Sequence, residues 1–83
     1  METRVALIGI VVTEGDSVQQ LNTLLHNYSD FIIGRMGLPY KKDNLSIISV
    51  VLDAPQDVIS ALSGKLGALK GVSTKTITPK VDF

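Results

Sequence analysis

After Arg4 the chain reads Val5-Ala6-Leu7-Ile8-Gly9-Ile10-Val11-Val12, a largely β-branched run closed by polar Thr13-Glu14-Gly15-Asp16. It is too short for most helices and predicts a strand over Arg4–Val12. Asp16 and Gln19 have the spacing of a capping box and mark an expected helix start. Val18, Leu21, Leu24, Leu25 and Tyr28 then recur at three- and four-residue steps, which lays one apolar stripe against a core. Asn27 to Asp30 ends that helix. Phe31 to Tyr40 is a second extended segment, and its Gly34, Gly37 and Pro39 assign it to a sheet edge. A polar turn, Lys41-Lys42-Asp43-Asn44, leads into the β-branched run Leu45 to Leu52, so these two strands should form a hairpin. Asp53 is the expected cap of a second helix, with Pro55 near its first position. Val58, Ile59, Leu62, Leu66 and Leu69 share one side of it, and Gly67 and Gly71 offer left-handed positions for its end. Val72 to Thr78 is the last strand, stopped by Pro79.

The order is β-α-β-β-α-β. With right-handed crossovers it predicts an α+β, ferredoxin-like sandwich: a four-stranded antiparallel sheet with both helices on one face, in one domain over residues 1–83. The first and third strands are then central, and the Gly/Pro-bearing second and Thr-rich fourth lie at the edges. A sheet wetted on its far face should alternate apolar and polar residues. These central strands do not: Val5, Leu7 and Val11 oppose Ala6, Ile8, Ile10 and Val12, while Leu45, Ile47 and Val51 oppose Ile48, Val50 and Leu52. Left open, the second face would expose roughly 300–600 Å² of hydrocarbon, about the largest patch a soluble monomer shows. The economical cover is another copy of the chain, which predicts a homo-oligomer, a dimer or a tetramer. An unusually apolar monomer is the plain alternative.

Composition narrows the function classes. Eight Lys+Arg balance eight Asp+Glu, without the basic excess of a nucleic-acid binder, and no basic DNA-reading segment is present. Absence of Cys removes disulfides, thiolate metal sites and a Cys nucleophile, so no cofactor is indicated and the cytoplasm is the expected location. The apolar run Val5 to Val12 is far below the ~20 residues that span a bilayer and does not read as a signal segment; no membrane role is expected.

Few residues invite chemistry. His26, the single histidine, lies about 130° around the helix from the apolar stripe, near the C-terminus. It is either a solvated last-turn residue or a polar contact at a subunit boundary. Arg35, read on the strand face of Phe31 and Ile33, either snorkels to solvent or offers a planar fork to a carboxylate effector or to an acidic residue of another subunit. Glu14-Gly15-Asp16 would repel anions and reads as a structural turn. Gly64-Lys65-Leu66-Gly67 lacks the strand-loop-helix order of a phosphate loop. Between Ser17 and Tyr28 there is no Asp, Glu, Lys or Arg, an amide-rich helix face compatible with contact. The outer side of the second helix, Ser60, Ser63, Gly64 and Gly67, is small, either for close approach or as a frayed end. No nucleophile stands beside a general base.

Leu24-Leu25-His26-Asn27-Tyr28, Ile33-Gly34-Arg35-Met36-Gly37-Leu38-Pro39-Tyr40, and Ala61-Leu62-Ser63-Gly64-Lys65-Leu66-Gly67 through Gly71-Val72 to Lys75-Thr76 resemble the iron-only hydrogenase system regulator family over nearly the whole chain. Leu69-Lys70-Gly71-Val72 is more diffusely similar to ACT domains and to the C-terminal domain of nickel-responsive regulators. The resemblance implies a single oligomeric ACT-like regulatory domain, its role assigned by genomic association rather than by demonstrated chemistry. The metal ligands of the nickel regulators are not carried over, since this chain lacks their multiple His and Cys.

The resulting expectation is a non-enzymatic regulatory module that meets a small effector or a regulatory protein partner at subunit boundaries. His26 and Arg35 would supply polar contacts, Met36 an adaptable wall and Gly37 room for close approach. The main competitor is a scaffolding oligomer without ligand. An acylphosphatase-like hydrolase would want Arg where Glu14 and Asp16 stand; a single-strand RNA binder would want aromatics on the central strands; a metal chaperone would want Cys.

Overall fold

The computed structural model describes residues 2–40 and 44–79. Its elements are β1 (Arg4–Val12), α1 (Val18–Asn27), β2 (Ile32–Tyr40), β3 (Leu45–Ala54), α2 (Gln56–Gly67) and β4 (Val72–Ile77). The strands form one antiparallel sheet in the order β2-β3-β1-β4, the ferredoxin-like arrangement. The aliphatic runs are central and the interrupted ones peripheral, because only the central positions repay β-branched residues with neighbours on both sides. The expected turn Lys41-Lys42-Asp43 lies outside the described residues, although β2 and β3 pair antiparallel up to Tyr40 opposite Leu45.

One face of the sheet carries the core. Ala6, Ile8, Ile10 and Val12 of β1 and Ile48, Val50, Leu52 and Ala54 of β3 meet Leu21 and Leu25 of α1 and Ile59, Leu62 and Leu66 of α2. Burying each Leu or Ile here contributes about 1.5–3 kcal/mol. The two helices touch at their ends through Lys65, whose ammonium donates to the Tyr28 hydroxyl at 2.9 Å.

Local chemistry departs from expectation in four places. No capping box forms at Asp16: Gly15–Ser17 is a 3-10 turn, and the residue before α1 is Ser17, which makes no side-chain cap. Its hydroxyl is taken instead by the Lys70 carbonyl of another turn. Asp53 is not a cap, because β3 continues through it opposite Val5, and Pro55 precedes α2 in extended backbone. Phe31 belongs to a 3-10 turn, Ser29–Phe31, so the strand starts one residue later. The second helix does not fray at Gly64, since α2 runs to Gly67; the left-handed position is Gly71, with φ 72°.

Candidate functional site

A β-bulge sets the geometry at the free edge. Ile32 pairs with Leu52 and Gly34 with Val51, leaving Ile33 as the extra residue. The register beyond it places Arg35 opposite Val50 and Gly37 opposite Ile48, on the helix-covered side, and Gly34, Met36, Leu38 and Tyr40 on the other. Arg35 therefore does not share a strand face with Phe31 and Ile33 as the unbroken pattern suggested. From the β2 edge its guanidinium reaches α1 and donates to Asn22 Oδ1 at 3.1 Å.

That contact borders a groove of about 440 Å³ lined by Asn22, Leu25, His26, Ser29, Ile32 and Arg35. A second depression, about 560 Å³, runs along the outer side of α1 past Gln19, Asn22, Thr23 and His26. His26 lies in the last turn of α1, exposed, one helical turn beyond Asn22, and so borders both. The expected site residues separate accordingly. His26 and Arg35 share the groove; Gly37 follows Arg35 on the same side of β2 without lining it; Met36 projects to the opposite face of the sheet. Asn22 and Ser29 were not singled out from sequence as site residues, because a register slip of one residue hides which α1 side chain an edge-strand Arg meets.

The open face has its own order. Three cross-strand rows follow from the pairing: Leu38-Ile47-Val11-Ser73, then Met36-Ser49-Gly9-Lys75, then Gly34-Val51-Leu7-Ile77. Gly9 and Ser49 make a low centre between two apolar ridges. Leu38 is 54% exposed, Met36 60% and Ile77 61%, the exposure of loop residues on side chains that belong to strands.

Among the described residues no group of three or more His, Cys, Asp or Glu could hold a metal ion. Nor is any helix among them long and apolar enough to cross a membrane. Gly64-Lys65-Leu66-Gly67 lies within α2, with no phosphate-loop geometry.

Fold and groove define a class: a small ferredoxin-like α+β domain with a polar recess between its first helix and an edge strand. Within that class the chain belongs to the TM1266-like family, described as iron-only hydrogenase system regulators, whose pattern matches residues 4–76. It resembles the uncharacterized protein TM1266 from Thermotoga maritima, with 44% identity, a TM-score of 0.91, and coverage of 95% of this chain and 100% of that one. Its fold also matches the C-terminal domain of MgtC from Mycobacterium tuberculosis, with TM-score 0.69, 11% identity and coverage of 92% and 87%. CutA1 of Ehrlichia chaffeensis, a divalent ion tolerance protein, matches with TM-score 0.53, 13% identity and coverage of 100% and 88%. These two likenesses concern the fold alone. No curated protein matches the chain.

Proposed function

We propose that the chain is a non-enzymatic, single-domain ACT-like regulatory module of the cytoplasm that works as a homo-oligomer and receives a small effector or a regulatory protein at its subunit boundaries. The observation that carries this reading is the open face of the sheet, where Leu7, Val11, Met36, Leu38, Tyr40 and Ile77 stay between 36% and 61% exposed. Aliphatic side chains in ridges on both sides of a low centre are costly to leave in water and suited to interdigitation with a second copy of the same face. The family description, a regulator, agrees with the lack of a nucleophile–base pair in the sequence.

Met36 faces that surface while Arg35, its neighbour, faces the groove. Assembly through the sheet would thus place the groove at the rim of the assembly, where His26, Arg35 and Gly37 can meet an effector or a partner. The test is a thermal-shift screen of wild type and Arg35→Ala against amino acids, nucleotides and divalent metals. Stabilisation by at least one ligand, lost in the variant, supports the regulatory reading. Stabilisation by none, with the variant matching wild type, removes the effector and favours a scaffold.

A further inference from the structure

We propose that the groove between α1 and β2 binds an oxyanion, a carboxylate or phosphate group on a small organic molecule, between Arg35 and Asn22; this rests on the effector-binding reading above. The argument begins with the hydrogen bond between the two residues. A guanidinium can only donate, so the Asn22 atom 3.1 Å from Arg35 must be the amide oxygen. Asn22 Nδ2, on the same planar amide, keeps two N–H donors, and among the described residues it donates no side-chain hydrogen bond. The exposed guanidinium spends one nitrogen on this contact and keeps donors on the others. Two adjacent groups, joined by this hydrogen bond, thus offer their remaining donors from neighbouring positions, an arrangement that two oxygens of one anion can accept.

The surroundings have a consistent sign. His26 and Ser29, the other polar residues of the groove, can each donate, and among the described residues no carboxylate lines it. The whole of α1, Val18–Asn27, contains no acidic residue, and the partner held by Arg35 is a neutral amide. Leu25 and Ile32 supply apolar wall, so the recess of about 440 Å³ suits an organic body carrying the anionic group rather than a bare ion.

A two-dimensional ¹H–¹⁵N NMR titration of the full chain with succinate, inorganic phosphate and neutral succinamide at fixed ionic strength tests the assignment. Saturable shifts of the Asn22 side-chain amide and of the His26 and Ser29 backbone amides are expected with an anion and not with succinamide. Saturation by succinate indicates a carboxylate ligand, and saturation by phosphate indicates a phosphate-bearing one. Binding should weaken at least tenfold in Arg35→Gln, an exposed substitution that keeps the fold. Failure of both anions to saturate, equal response to succinamide, or unchanged affinity in Arg35→Gln overturns the proposal. Sedimentation of the same samples keeps two failures apart: an oligomer that ignores both anions defeats only the oxyanion site, whereas a monomer that binds one upholds the site and defeats the assembly.

Discussion

The hydroxyl of Ser17 donates to the backbone carbonyl of Lys70, fastening the entrance of α1 to the turn that leads into β4. Beside it the Thr13 amide and hydroxyl both donate to the Gly71 carbonyl, at 2.8 and 3.1 Å. Two turns far apart in sequence are thereby closed on each other at one end of the sheet. Ser17 is 4% exposed and its bond to Lys70 is partly buried, so removing its hydroxyl takes a partner from the Lys70 carbonyl at a place only partly open to water. Ser17→Ala is predicted to cost about 1–2 kcal/mol. Urea unfolding should show a lower midpoint at unchanged slope; an unchanged midpoint would mean that the contact contributes nothing.

Gly71 makes the same junction intolerant of a side chain. At φ 72° only glycine is unstrained, and an added Cβ would strike the Glu14 side chain, 2.6 Å from its Cβ and 3.0 Å from the Glu14 backbone nitrogen. Gly71→Ala should destabilise by about 1–3 kcal/mol, and Glu14→Ala should rescue only part of it, since the Cβ and nitrogen of residue 14 remain. Full rescue in the double variant would contradict the backbone part of this account.

The strands and their order were legible because Arg4–Val12 and Leu45 to Leu52 are aliphatic on both faces, a pattern that only central strands support. The open face was legible for the same reason. What escaped the sequence were features decided between elements. The bulge at Ile33 depends on how β2 meets β3, and it moved Arg35 to the other side of the sheet from the one an unbroken alternation implies. Ser17 bonds to a residue 53 positions away, a contact that the local spacing of Asp16 and Gln19 could not announce. The pairing of Arg35 with Asn22 was hidden too, because the bulge decides that Arg35 lies on the side of the sheet that α1 covers.

Core and open face should respond differently to substitution. Leu62 is fully buried between α2 and the sheet, and Leu62→Ala is predicted to lower stability by about 2–5 kcal/mol at any protein concentration. Leu38→Glu, on the open face, should lower the melting temperature chiefly by abolishing its rise with protein concentration. Differential scanning calorimetry over a hundredfold concentration range distinguishes the two, and a Leu38→Glu profile parallel to wild type would count against an interface there.

Arg35→Ala should change stability by no more than about 0.5 kcal/mol, because an exposed side chain with one hydrogen bond contributes little to folding. A thermal melt followed by circular dichroism, in the absence of ligand, checks this. A loss of several degrees would assign Arg35 to the fold rather than to recognition.

Equilibrium sedimentation of wild type and Leu38→Glu at micromolar concentration bears most directly on the proposition that a sister molecule covers the ridged sheet face. We expect wild type at an integral multiple of the single-chain mass, and the variant, still folded, at the single-chain mass. Wild type sedimenting as one chain throughout would contradict it.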